Sequence, residues 1–251
     1  MARTIFTPAV VLRRVAYGEA DQVLTLLTEA YGRVGVLARG ARKSTRRFAG
    51  ALEPFCVLDV EVALGRGELG RLAQARLVRA FPALLADLDR MTTAGACLEL
   101  VRELLPPREP DPSWLPTVVD LLEALDAGAP PEELRIAFTL RFLALTGFAP
   151  GLERCGRCDR PAPPGRAALF DPVLGALVCR ACGGAPWKLS GSLRARMTAS
   201  LGPRWTAVEA WPSPEVAVAR TAVTDFVTHH LGRRLRGGSA VAQVRELTPS
   251  R

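Results

Sequence analysis

The 251-residue chain has almost no histidine and none of the short patterns that mark an active site. His229 and His230 are its two histidines, and no candidate nucleophile stands near them in sequence. H-E-x-x-H, G-x-S-x-G and G-x-x-x-x-G-K-[ST] are all missing. Metalloprotease, serine-hydrolase and phosphate-loop chemistry therefore have no visible seat, and a protein that is not an enzyme is expected. No run of about 18 apolar residues occurs, which argues against a membrane span. The opening stretch "MARTIFTPAVVLRR" has no cleavage site of small residues and does not read as a signal peptide. A cytoplasmic location is expected, where thiols stay reduced and paired cysteines point to metal rather than disulfide.

Acidic residues are missing from one place in particular. Residues 38–50, "ARGARKSTRRFAG", carry Arg39, Arg42, Lys43, Arg46 and Arg47 within nine positions and no carboxylate. The formal net charge is +8, and residues 1–80 hold 13 Lys/Arg against 7 Asp/Glu. Such a cluster repels itself, so an anionic partner is expected, nucleic acid or an anionic membrane surface. An apolar fraction of 49% excludes global disorder.

Around that cluster, residues 9–17, 22–29, 33–40, 55–64 and 69–78 read as short strands rich in Val and Leu, separated by turn signals. The last of these would also suit a helix. Five strands in about 75 residues are the proportion of a small barrel, and the oligonucleotide-binding OB-fold is the five-stranded candidate. The basic segment falls between the third and fourth strands, where such barrels meet single strands. Phe48, Tyr17, Tyr31 and Phe55 offer possible stacking surfaces. "GRGELG" (65–70) matches a dinucleotide fingerprint, with Asp87 and Asp89 downstream. Its setting is a strand meander, however, so it reads as a hairpin turn with Arg66 at the tip.

From Pro82 the period becomes helical. One face is set by Leu84, Leu88, Met91, Leu98, Val101 and Leu105, a second by residues 114–125, and a third by residues 134–145 ahead of Gly147. Ser190 is placed to cap a short helix, and Val216, Val223, Phe226, Val227 and Leu231 outline a last one stopped by Gly232. His230 shares that face, which predicts a core or half-buried ring. Between these helices, Cys155-x2-Cys158 is followed after twenty residues by Cys179-x2-Cys182, with a hairpin expected over 169–179. Two such knuckles make a tetrahedral sulfur cage suited to zinc. Four protein thiolates leave no open position, so the metal would be structural; an iron–sulfur cluster uses the same ligands and stays open. Cys56 and Cys97 lie in apolar periodic stretches and read as core thiols.

Together these segments resemble the RecO family of bacterial DNA repair and recombination mediators. The match rests on "VLARGARKSTRRFAGALEPF" (36–55), "GRGEL" (65–69), "LRFLALTGFAP" (140–150), the two C-x-x-C pairs and "HHLGRRLRGGSAV" (229–241), in the family's order. The resemblance implies a multidomain α+β chain: an OB-fold nucleic-acid-binding domain (1–80), a helical domain in two parts (81–150 and 187–240), a zinc-binding insertion (151–186) and a tail (241–251). It implies binding to single- and double-stranded DNA and annealing of complementary strands. It also implies contact with the C-terminal tail of single-stranded-DNA-binding protein and, with RecR, help in loading RecA onto coated strands in the cytoplasm, at the nucleoid. Arg39, Arg42, Lys43, Arg46 and Arg47, with Arg66, become DNA contacts, and Cys155, Cys158, Cys179 and Cys182 hold Zn²⁺. The other classes left open are a zinc-ribbon nucleic-acid-binding factor in transcription or translation, a hydrolase with an unrecognised site and a structural assembly protein.

Overall fold

The computed structural model describes residues 3–44, 47–48, 52–65 and 67–232. The chain is mixed α+β, with strands first and helices after, and it forms two compact units divided between Asp126 and Ala127. The division falls inside the 81–150 stretch, so the first three helices share a unit with the sheet.

The first unit begins with β1 (Arg3–Tyr17), β2 (Asp21–Thr28), β3 (Gly32–Ala38), β4 (Cys56–Leu64) and β5 (Leu69–Ala80). They close into a barrel in the order β1-β2-β3-β5-β4, with β4 returning to β1. Alternation decides which side chains face in. Val34, Val36 and Ala38 on β3 and Leu58, Val60, Val62 and Leu64 on β4 are buried, and the residues between them are half-buried. Full burial of each large aliphatic side chain contributes roughly 1.5–3 kcal/mol. The closing seam is a short parallel pairing of Gly35, Val36 and Leu37 with Leu69, Gly70 and Arg71. On its other side β5 lies close to β4: a Cβ at Gly70 would lie 2.7 Å from a Leu64 methyl and 3.1 Å from the Ala63 carbonyl oxygen. The fifth segment is thus a strand: it runs in an antiparallel ladder on β4, interrupted by two bulges, and buries Gly70, Leu72 and Ala75.

The one-turn α1 (Pro82–Leu85), α2 (Leu88–Leu104) and α3 (Trp114–Asp126) complete this unit. The Asp87 carboxylate caps α2 by accepting from the backbone N–H groups of Asp89 and Arg90. The buried face of α2 runs through Ala94, Cys97, Leu98 and Val101. Leu88, expected on that face, is 48% exposed because it sits in the first turn, ahead of the packed stretch.

The second unit holds α4 (Pro131–Leu145), β6 (Gly151–Cys155), β7 (Ala168–Asp171), β8 (Ala176–Leu177), β9 (Trp187–Leu189), α5 (Gly191–Ser200) and α6 (Ser213–Leu231). Phe138 and Phe142 on α4 stack at 5.4 Å, and Trp205 meets Phe138 edge-on at 5.6 Å. The four short strands form one sheet in the order β6-β8-β7-β9, the β7–β8 hairpin lying where the sequence placed it. Phe170 of β7 packs on Phe226 of α6, and the Trp187 indole N–H donates to Asp225 (3.2 Å). Ser190 caps α5 by accepting from the Leu193 N–H, and Gly232 ends α6 with φ 65°. The His230 ring rests against Phe226 at 4.3 Å, yet the residue is exposed, because it lies in the last turn of the helix.

Candidate functional site

The basic segment leaves β3 through Gly40, whose left-handed φ of 63° turns the chain. The Gly40 N–H donates to the Asp21 carboxylate (2.7 Å), and the Arg42 N–H donates to the Ala20 carbonyl (3.0 Å). Ala41–Lys43 then forms a single 3-10 turn seated on the β1–β2 hairpin. At its far end the Ala75 N–H on β5 donates to the Arg47 carbonyl (3.1 Å). The loop is therefore fastened to the barrel at both described ends by its backbone.

The loop's side chains divide by role. Arg39, Arg42, Lys43 and Arg47 are exposed, and none forms an ion pair with a described residue. Arg42 reaches the Glu19 carbonyl at 3.4 Å. Arg47 holds the loop together: its guanidinium donates to the Arg39 carbonyl (2.7 Å) and lies 5.1 Å over the Phe48 ring. Glu53, the first carboxylate after the cluster, is paired with Arg14 at 2.6 Å and does not neutralise these cations. Arg46 and Arg66, both expected as contacts, lie outside the described residues, as do residues 233–251.

Of the four aromatic rings expected as stacking surfaces, Phe48 and Phe55 are buried and Tyr31 packs half-buried against the core. Phe48 packs in the barrel core and helps seat the loop, and with Phe55 also buried neither ring can stack on a ligand. Tyr17 is 60% exposed at the end of β1, opposite Asp21 and hence beside the loop's anchor.

Sequence reasoning missed Arg108, in the segment "LPPREPDPS". Its backbone N–H donates to the Arg33 carbonyl (2.8 Å), and its guanidinium donates to the carbonyls of Gly65, Gly67 and Glu68. It thereby pins the β4–β5 turn that carries Arg66. An arginine among helix breakers was the available signal, but nothing local tells which turn it reaches.

The second candidate site is the cysteine quartet. Parallel pairing sets Cys155 opposite Leu177, two residues before Cys179, and so brings the two knuckles together. The Gly156 N–H fixes that approach by donating to the Leu177 carbonyl (2.8 Å). The second knuckle closes when the Cys182 and Gly184 N–H groups both donate to the Cys179 carbonyl, with Gly183 at φ 103°. The four sulfurs lie within 4.8 Å of one another, and Cys158 Sγ is 3.7 Å from Cys179 Sγ. A tetrahedron with metal–sulfur bonds of about 2.3 Å has sulfur–sulfur edges of roughly 3.8 Å, so the residues fit a metal ion. The backbone N–H groups of Cys179, Arg157 and Cys158 lower the Cys155 thiol to about 6. Contacts with the Cys179 and Cys158 thiols push Cys182 up to about 12. One thiolate forms readily at Cys155, and ionising Cys182 beside it calls for a cation. By contrast Cys56 and Cys97 are separate buried thiols, with burial raising Cys56 to about 11.

A cationic barrel loop and a thiol cage on two compact α+β units define a modular protein whose described sites are a charged surface and a metal-type cluster. Comparison with known proteins gives that class its family. Residues 1–81 match the family described as "Recombination protein O N terminal", and residues 85–238 match "Recombination protein O C terminal". The chain is 44% identical over 233 residues to DNA repair protein RecO of Anaeromyxobacter sp. (strain K), covering 90% of this chain and 91% of that one. With the RecO proteins of Myxococcus xanthus (strain DK1622) and Geobacter sulfurreducens the identities are 38% and 35%, over 94% and 96% of this chain and 96% and 97% of theirs. The chain belongs to the RecO family, and its role is in DNA repair and recombination. Among the described residues, no helix is long and apolar enough to cross a membrane.

Proposed function

We propose that this protein is a recombination mediator whose N-terminal barrel is an OB-fold that binds single- and double-stranded DNA through the loop after β3. The observation that carries this reading is the loop itself: Arg39, Arg42 and Lys43 are exposed, without ion-pair partners among the described residues, on a backbone tied to the barrel. Cations of this kind bind phosphates by releasing counterions, a mode indifferent to sequence and suited to strands that must later be surrendered. Arg46 and Arg66 join them as phosphate contacts. Tyr17 supplies a stacking surface for an unpaired base.

Neutralising two backbones lowers the repulsion between complementary strands, so the protein anneals them without covalent chemistry. No phosphate loop exists in the sequence to seat a nucleotide, and pairing itself supplies the free energy. Its partners are the acidic C-terminal tail of single-stranded-DNA-binding protein, RecR and, indirectly, RecA, in the cytoplasm at the nucleoid. Zn²⁺ held by Cys155, Cys158, Cys179 and Cys182 would supply structural cross-linking; Arg157, donating to the Cys182 carbonyl (2.9 Å), braces one knuckle on the other.

The test is the binding of fluorescent oligonucleotides of several sequences over a range of salt. Affinity should fall steeply with salt and differ little between sequences. Tight binding to one defined site would instead favour a zinc-ribbon transcription or translation factor.

A further inference from the structure

Beside the thiol cage, the second unit carries a cleft of about 300 Å³ that the barrel loop does not involve. Its floor is apolar, with Pro161, Pro163, Leu169 and Val178 among its lining, and Arg160, Arg180 and Lys188 supply its charge. All three cations are exposed, and none is ion-paired among the described residues. Among the described residues, no carboxylate lines the cleft. Two of the nearby acids are engaged elsewhere: Asp159 pairs with Arg154 at 2.9 Å, and Asp171 accepts from the Val173 and Leu174 N–H groups of its own turn. The site is also firmly built. The Arg194 guanidinium, nine-tenths buried, donates to the Ala162 and Pro163 carbonyls and fixes the wall to α5.

We propose that this cleft is a second single-strand binding site, taking a base on its apolar floor and the flanking phosphates on Arg160, Arg180 and Lys188. The inference rests on the strand-annealing reading above, which needs two strands held at once and so far assigns a surface to one. Apolar faces accept any base, and the unopposed cations accept any backbone phosphate. The pairing of an apolar trough with charge of a single sign matches the alternation of base and phosphate along a strand.

The experiment uses the full-length metal-loaded protein and an oligothymidylate carrying 4-thiothymidine. In the unaltered protein, photo-crosslinks should map to peptides within residues 160–188 as well as to the barrel loop. The triple variant Arg160→Ala, Arg180→Ala, Lys188→Ala should lose the former set while keeping the latter. Its salt slope in log–log form should shrink by about 2, at roughly 0.7 for each phosphate contact, and its annealing of naked strands should drop. A charge-keeping variant, Arg160→Lys with Arg180→Lys, should retain both, which separates lost contacts from a disturbed fold. Crosslinks confined to the barrel loop would overturn the proposal and leave the annealing reading standing. So would cleft-dependent binding of a glutamate-rich peptide without crosslinks at 160–188, which would make the cleft a peptide site. Failure of the unaltered protein to bind DNA at all would instead strike the annealing reading.

Discussion

At the scale of single residues, the loop cations do different work although the sequence writes them alike. Arg42 and Lys43 project from a 3-10 turn with no carboxylate partner among the described residues, whereas Arg47 ties the loop to the Arg39 carbonyl and covers Phe48. Arg42→Ala with Lys43→Ala should therefore lower the log–log salt slope of single-strand binding by about 1.4 and leave the melting temperature unchanged. Arg47→Ala should lower the slope and also loosen the loop, visible as faster amide exchange over residues 39–48. Tyr17 belongs to the same surface by register and not by charge. Tyr17→Ala should weaken single-strand binding by about 1–3 kcal/mol while sparing duplex binding, and Tyr17→Phe should restore it, as fluorescence anisotropy would report. Equal losses on single strands and duplex would remove Tyr17 from a stacking role.

At the scale of elements, the two knuckles and the α5 cap organise the second unit. Structural zinc contributes on the order of 10 kcal/mol of apparent binding free energy in small domains. Changing any one of Cys155, Cys158, Cys179 or Cys182 to serine should release the metal and unfold the β6–β9 sheet locally, leaving the barrel folded. Elemental analysis and amide exchange would measure this, and a metal-free native protein with four freely titratable thiols would contradict it. Glu215 on α6 ties to α5 by accepting from Ser190, Ser192 and Arg196. Burial works against its ionisation, but those donors outweigh it and hold the carboxyl below its ordinary value. A depressed carboxyl stabilises the fold above the carboxylate range, and that stabilisation is lost as pH falls through the lowered value. Glu215→Gln should cost no more than about 1 kcal/mol near neutrality. The gap to the unaltered protein should close in acid, as denaturant titrations at several pH values would show.

The elements also explain what could be read in advance. Strand alternation in "RVGVLARG" and "FCVLDVEVAL", the spacing of the four cysteines and the Ser190 and Gly232 caps all express local rules, and all are found in the fold. Burial of Phe48 and Phe55 was not legible. An aromatic residue beside a cationic run looks the same in sequence whether it faces solvent or the barrel. The reach of Arg108 to the β4–β5 turn, the placing of Arg160, Arg180 and Lys188 on one cleft, and the exposure of His230 likewise depend on tertiary contacts between segments far apart in the chain.

At the scale of the whole molecule, a net charge of +8 accompanies two units that each offer cations unopposed by carboxylates among the described residues, on the barrel loop and on the cleft beside the four cysteines. Family membership gives the repair role, and the charge fits the route proposed for it: a surface that would grip backbones without reading bases and bring two strands together. The central claim is that this protein anneals strands still coated by single-stranded-DNA-binding protein, recruited through the coat's acidic tail and without nucleotide. The most direct measurement follows annealing of complementary fluorescent strands coated with intact or tail-deleted binding protein, with and without ATP. The account predicts acceleration that needs no ATP, disappears on tail-deleted coats and persists on naked strands. Annealing that depends on ATP, or that proceeds equally on tail-deleted coats, would contradict it.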